Sequence, residues 1–307
     1  MNPPNPAPTL SAAAHEPATA PASLARDLLE LTKPRITTMA VISVAAGYTL
    51  GSRGPVALAL AGAVLCAATL LASGASALNQ WLESETDQWM TRTASRPLPQ
   101  GRLASSVALG FGVLLVASGL VLMTMAGGAL AASIGLVTVA LYVLAYTPLK
   151  RTTPLCTVIG AVPGALPPLM GWAAGAGSLT AEAWLLFAIL FLWQMPHFLA
   201  IAWLYRDDYA RAGQPMLPVV DPSGAATARQ AVLYAAALLP VSLLPSVLGI
   251  AREPYFAVAL VSGVALLVAS LRMGLTRSMA DARLLLRVSI LYLPVLLGTM
   301  VWARQPF

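Results

Sequence analysis

The stretch PVALALAGAVLCAATLLASGASALNQWLESETDQWMTRTASRP, residues 55–97, decides how the chain is read. Its first part, Pro55 to Leu78, is an uncharged apolar run, and a bilayer is crossed by about 20 such residues in a helix. Its second part, Asn79 to Pro97, carries Glu83, Glu85, Asp87, Arg92 and Arg96 in a protein in which only 10% of residues are charged. Asn79, Glu83 and Asp87 recur at every fourth position. If the membrane helix continues into them they share one face, drifting by about 40° per step. An amide and two carboxylates in a row are hard oxygen donors of the kind magnesium accepts. Arg92 and Arg96 repeat the spacing just beyond, and a planar guanidinium matches phosphate oxygens. Metal and arginine beside an apolar span point to a diphosphate with an apolar tail. The competing reading is a solvated loop between two membrane helices, and a second polar cluster facing the first would decide against it.

Composition agrees with the membrane reading. Of 307 residues, 58% are hydrophobic and the mean hydropathy is +0.76, far above a water-soluble domain. Apolar spans, each of roughly twenty residues, fall near 36–52, 56–80, 104–125, 129–147, 154–174, 182–204, 229–250, 254–273 and 284–303, predicting about nine helices. Unpaired backbone groups are costly in lipid, so an all-α polytopic bundle is the form expected. The first thirty or so residues, MNPPNPAPTLSAAAHEPATAPAS onward, are rich in Pro and Ala without a periodic apolar face. They predict a disordered tail over 1–30, followed by a single transmembrane domain over 31–307. No basic start precedes an apolar core, which argues against a cleaved signal peptide, and His15 in the tail is given no role.

Charge orients the expected bundle. One side collects Arg26, Lys33, Arg35, Arg92, Arg96, Arg102, Lys150, Arg151, Arg206, Arg211, Arg229, Arg272, Arg277, Arg283 and Arg287, and the other only Arg53, Arg252 and Arg304. The positive-inside rule makes the first side cytoplasmic, with the N-terminus inside and the C-terminus outside. The net charge of +6 then follows from topology and anionic lipid, and needs no nucleic-acid partner. Cys66 and Cys156 both fall in apolar spans, too few for a disulfide framework and outside any haem-attachment motif.

In chain order, Lys33-Pro34-Arg35 opens the first span, proline suiting a helix start; Lys33 and Arg35 read as interfacial anchors or as caps of the polar mouth. Ser73, Gly74, Ser76 and Ala77 let a neighbouring helix come close just before Asn79. Tyr142, Tyr146, Lys150 and Arg151 end the fourth span on the cytoplasmic side, as belt residues or as further cations at the mouth. Several Gly and Pro residues interrupt the fifth span between Gly160 and Trp172, where a broken helix could leave room for a bulky ligand.

The sixth span supplies the second cluster. Gln194 and His197 lie within it, Pro196 is expected to kink it, and Arg206-Asp207-Asp208-Tyr209 follow at its cytoplasmic end. Polar residues at such depth normally face the bundle interior. Two acidic patches on different helices could clamp diphosphate oxygens through a metal.

These same residues carry a family resemblance. The pattern N-x-x-x-(D/E)-x-x-x-D-x-x-M-x-R-T-x-x-R-P, filled by Asn79, Glu83, Asp87, Met90, Arg92, Thr93, Arg96 and Pro97, resembles the first signature of intramembrane UbiA-type prenyltransferases. YTPLKR at 146–151, GAVPGALPPLMGW at 160–172 and WQMPHFLAIAWLYRDDYARAGQPMLPVV at 193–220 resemble the haem-farnesylating branch in order and spacing. The resemblance implies a bundle of nine helices around a central cavity open to the cytoplasmic leaflet of a bacterial inner membrane. There farnesyl diphosphate would be ionised with magnesium, and the farnesyl group joined to a vinyl carbon of haem b, with water adding a hydroxyl. Haem b is thus a substrate, and the product would pass to haem A synthase or terminal oxidase assembly. Residue by residue, Asn79, Glu83, Asp87, Asp207 and Asp208 would hold magnesium, and Arg92, Arg96, Lys150 and Arg206 would bind the diphosphate. Asn79, Arg92, Arg96 and His197 would serve catalysis, His197 by contacting haem or by assisting the vinyl chemistry. Tyr146, Gln194 and Tyr209 would line the cavity. Glu83 stands where the wider superfamily has aspartate and the second acidic motif is reduced, leaving the metal count open. Two alternatives stay open: a sister prenyltransferase acting on a quinone precursor or chlorophyll-type acceptor, and a transporter coupled to ions through buried acids, which would want those acids near the bilayer midplane.

Overall fold

The structure, a computed structural model, describes residues 23–54 and 57–304. The disordered segment expected over 1–30 falls mainly on residues 1–22, outside the described residues. Its last part is helical: α1 (Leu24–Leu31) starts where the Ser23 hydroxyl accepts from the Arg26 N–H at 3.4 Å, a serine N-cap. Its buried Leu31 packs with Ala77, Leu103 and Ala108.

Helix α2 (Pro34–Gly51) is followed by α3 (Leu58–Asp87) and α4 (Ser105–Ala140). A π-helical turn, Leu141–Tyr146, leads into the short α5 (Thr147–Leu149). Then come α6 (Cys156–Ala165), α7 (Pro167–Ala176), α8 (Ala181–Leu204), α9 (Arg206–Arg211), α10 (Leu217–Val220), α11 (Ala225–Val247), α12 (Glu253–Thr276) and α13 (Met279–Trp302). Every named element among the described residues is helical, as the apolar spans require. Helices carry large apolar side chains on their outer surfaces, among them Leu114, Met125, Val261 and Leu291, each more than 60% exposed. Such a girdle is costly in water and neutral against acyl chains.

The expected count of about nine spans is not confirmed. Seven helical stretches are long and apolar enough to cross a membrane. Two of the expected spans fall within one of them, Ser105–Leu149, whose path is broken at Gly128 (φ 82°, ψ 169°), while Pro34–Gly51 is not among the seven. Gly128 takes that backbone without the steric conflict a Cβ would bring.

Close helix contacts rest on glycine. A Cβ on Gly47 would lie 2.0 Å from the Pro168 carbonyl oxygen, and one on Gly171 would lie 2.0 Å from that of Val44, so α2 and α7 touch backbone to backbone. The fifth expected span is broken at Leu166, between α6 and α7. Gln194 packs against the end of α6, where its Nε2 donates to the Ala161 carbonyl at 2.6 Å and its Oε1 leaves no space for a Cβ on Gly164. Helix α8 runs through Pro196 as one helix.

Helix ends collect at two poles. At one, Arg304 donates to the carbonyls of Thr49 and Gly54, and the Arg252 N–H to that of Ala303. At the other meet the end of α3, α5, the 88–104 segment and α9.

Candidate active site

The apolar helix α3 does not stop where its sequence turns polar. It runs to Asp87, so Asn79, Glu83 and Asp87 stack along one face, at 0%, 4% and 0% exposure. Each finds a cation brought by a different part of the chain. Lys33 Nζ donates to Asn79 Oδ1 at 2.5 Å, Lys150 Nζ to Glu83 Oε1 at 2.7 Å, and Arg96 Nη1 to Asp87 Oδ2 at 2.5 Å. Buried charge without a partner would be strongly unfavourable, so the contacts to Glu83 and Asp87 are what lets the helix carry two acids into the interior.

Local structure aims each cation. Lys33 holds a left-handed backbone (φ 47°) directly before Pro34, a conformation costly for a non-glycine residue and one that turns its side chain toward α3. Burial of its ammonium, with Arg96 nearby, pushes Lys33 down to about 7 against the pull of Glu83. Lys150 comes just after the π-helical turn. Thr147, at the end of that turn, donates to the Tyr142 carbonyl at 2.8 Å and accepts from Asn79 Nδ2 at 3.0 Å. A π-helical insertion shifts the register of the residues beyond it, and here it sets Lys150 over the Tyr146 ring, 4.6 Å from its centroid, with Tyr142 stacked behind. Burial is the largest influence on the Lys150 ammonium and disfavours it, but Glu83 together with Tyr146, Tyr142 and Tyr209 outweighs burial and holds the group above its ordinary value. Arg96 is placed by the turns after α3, where the Thr93 hydroxyl donates to the Asp87 carbonyl at 2.8 Å.

Asp87 Oδ1 is buried and bonded to nothing, an anionic oxygen held open within the cation-lined face. This orphaned acceptor, on the same helix face as a second carboxylate and an amide oxygen, adds to a row of hard oxygens of the kind that suits magnesium. Asn79, Glu83 and Asp87 therefore fit the metal. The second acidic pair is partnered by arginines. Asp207 is 82% exposed and lies 3.8 Å from Arg206 Nε, while Asp208 is engaged by Arg211. Among the described residues no three His, Cys, Asp or Glu side chains form a group that could hold a metal ion. Asp207 and Asp208 thus each have an arginine partner of their own.

The two segments nevertheless meet. Arg211 donates to the Thr91 hydroxyl at 2.8 Å, and Arg92 lies over the Tyr205 ring, 5.0 Å from its centroid. Tyr209 packs beneath with Met90, Cys156, Ala202 and Met216. Arg206 lies over the Trp203 ring at 4.5 Å and is turned toward the Met279 sulfur. His197 lies deeper in α8, seven residues or about 10 Å before its end at Leu204, where it bonds Ser289 of α13 and stacks on Trp193. Sequence reading left the role of Lys33 open and passed over Thr147, Arg211 and Ser289. The Lys33-Pro34 pair was the only visible signal, because the other roles depend on distant partners.

Fold and site together describe an intramembrane helical bundle that gathers cations and buried acids at one pole. Residues 40–292 match the UbiA prenyltransferase family, and the chain belongs to that family. It is 48% identical to the protoheme IX farnesyltransferase of Solibacter usitatus, over 91% of this chain and 99% of the relative. It is 45% identical to that of Koribacter versatilis over 92% and 94%, and 40% identical to that of Myxococcus xanthus over 92% and 96%. Among solved structures, one described as giving insight into digeranylgeranylglyceryl phosphate synthase in membranes superposes with a TM-score of 0.76 at 19% identity, covering 91% of this chain and 98% of that one. A UbiA homologue from Archaeoglobus fulgidus bound to DMAPP and Mg2+ gives 0.65 at 15% identity over 88% and 99%. These two share the fold.

Proposed function

We propose that this protein transfers the farnesyl group of farnesyl diphosphate to a vinyl group of haem b, protohaem IX, giving haem O and diphosphate. The reading is carried by the α3 face on which Lys33, Lys150 and Arg96 meet Asn79, Glu83 and Asp87, and it is supported by the names of the curated relatives. Ionising an allylic diphosphate breaks its C1–O bond and leaves the electron pair on the diphosphate, so catalysis needs positive charge there and little stray water. Magnesium, when bound by Asn79, Glu83 and Asp87, neutralises diphosphate charge. Lys33, Lys150 and Arg96 would bind the phosphate oxygens, with Arg92 and Arg206 as further cations for the diphosphate. The farnesyl carbon then bonds to the vinyl group through its π electrons. The remaining cation takes up water and loses a proton, which leaves the hydroxyl.

In this reading, the segment from residue 31 is one transmembrane unit in a bacterial inner membrane. The basic pole faces the cytoplasm, with the N-terminus inside and the C-terminus in the periplasm. Haem O would pass to haem A synthase or oxidase assembly. Membranes containing the protein, supplied with haem b, farnesyl diphosphate and magnesium, should yield a haem heavier by one farnesyl group plus one water. Unchanged haem would overturn the proposal.

A further inference from the structure

We infer that Ser289 is a positioning residue that fixes His197 in one tautomer and leaves its Nε2 lone pair free for the iron of the haem substrate. Ser289 is fully buried on α13, and its hydroxyl lies 2.7 Å from the Leu286 carbonyl oxygen and 2.9 Å from His197 Nδ1. A serine hydroxyl has one proton to give. A carbonyl can only accept, and two oxygens at 2.7 Å without a proton between them repel, so that proton goes to Leu286. The remaining contact requires His197 Nδ1 to carry the hydrogen and donate to Ser289. This assignment follows from the hydrogen-bond network, the usual ground on which histidine tautomers are decided.

Nε2 is then bare. No described residue bonds it, and His197 is only partly buried. The ring is held from a second direction by Trp193, which stacks at 5.3 Å and itself donates from Nε1 to the Ser289 carbonyl at 2.8 Å. One residue of α13 thus anchors both rings on α8. A histidine that donates through one ring nitrogen to a fixed acceptor and presents the other is the arrangement found at metal-ligating histidines, where losing the outer partner weakens metal affinity or activity by about 10- to 100-fold. The inference rests on the proposed acceptor being a haem.

The chain has two histidines, His15 and His197, so a His15→Ala protein labelled with 15N-histidine reports His197 alone. The ligand-free protein should show a protonated Nδ1 and an unprotonated Nε2; the opposite tautomer or a doubly protonated ring overturns the inference. With ferrous haem b added, resonance Raman spectra of the full protein should show an iron–histidine stretch that His197→Ala abolishes. Ser289→Ala should weaken haem binding by at least about tenfold and shift that stretch, and Ser289→Thr should retain both. An unchanged stretch and affinity in Ser289→Ala, or an iron–histidine stretch surviving in His197→Ala, refutes the role. Wild-type protein that makes no farnesylated haem defeats the functional reading, whereas wild-type turnover with an unaltered Ser289→Ala spectrum defeats only this inference.

Discussion

Lys150 donates a 2.7 Å hydrogen bond to Glu83 across 67 positions of sequence, with the two side chains 16% and 6% exposed. The π-helical turn and the polar continuation of α3 are both needed for this contact, so local irregularity and long-range pairing depend on each other.

Breaking this pair on one side leaves a buried charge uncompensated, at a cost of about 3–5 kcal/mol. Lys150→Met should therefore lower the thermal midpoint in detergent markedly. Lys150→Met with Glu83→Met should recover much of that stability but not farnesyl transfer. A double variant no more stable than the single one would show that the pair is not what holds this end of α3.

Asp87→Asn keeps the shape of the side chain but removes the charge from the orphaned oxygen and from the Arg96 contact. Loss of one preorganised electrostatic group typically lowers turnover about 10²–10³-fold. The variant should stay folded, transfer farnesyl at such a reduced rate, and need more magnesium for half-maximal rate. Turnover and magnesium titration at wild-type values would remove Asp87 from the site.

Stripping divalent metal should abolish transfer while the protein stays folded, lowering the unfolding midpoint only by the small amount that loss of a bound ion gives. Lys33, Lys150 and Arg96 pair with the three acceptors, so the acids have protein partners of their own. Chelator-treated protein compared by calorimetry and by product formation separates the two effects; a large drop in midpoint would contradict the arrangement.

Gly171→Ala puts a methyl group 2.0 Å from a backbone oxygen of α2, which cannot move away as a side-chain tip would. Overpacking costs about 1–3 kcal/mol and more against backbone, so expression and midpoint should fall. Gly62→Ala, also in a helix but with no atom within 4 Å of the added carbon, is the control. It should be neutral or more stable by about 0.5–1 kcal/mol. Equal behaviour of the two would contradict the close α2–α7 contact.

Arg211 is half exposed, so Arg211→Ala should change global stability by under about 1 kcal/mol. It nevertheless ties α9 to Thr91, in the segment that carries Arg92 and Arg96. Hydrogen exchange across residues 88–101 should speed up and turnover should fall. Unchanged exchange there would mean the tie is incidental.

Much of the site could be read locally. Asn79, Glu83 and Asp87 lie four residues apart on a helix whose apolar part is unmistakable, and α3 carries all three on one buried face. The interruption of the fifth span was visible in Pro163, Pro167 and Pro168, but its packing against Gln194 was not. That Asp207 lies beside Arg206 and is largely exposed was not legible, because an acid at a helix start looks the same in sequence whichever way it turns. The nine-span count is not confirmed by the seven long apolar stretches, one of which, Ser105–Leu149, holds two of the expected spans on either side of the break at Gly128.

Hydropathy and the four-residue spacing are properties of neighbouring residues, so the chain alone determined that this is a helical membrane protein with a hard-oxygen face at the end of a span. Which cation meets which oxygen, and that His197 answers to a serine 92 positions away, was decided only when the helices packed. Hydrogen-bond partners depend on distances of a few ångströms between segments whose separation along the polypeptide carries no such information.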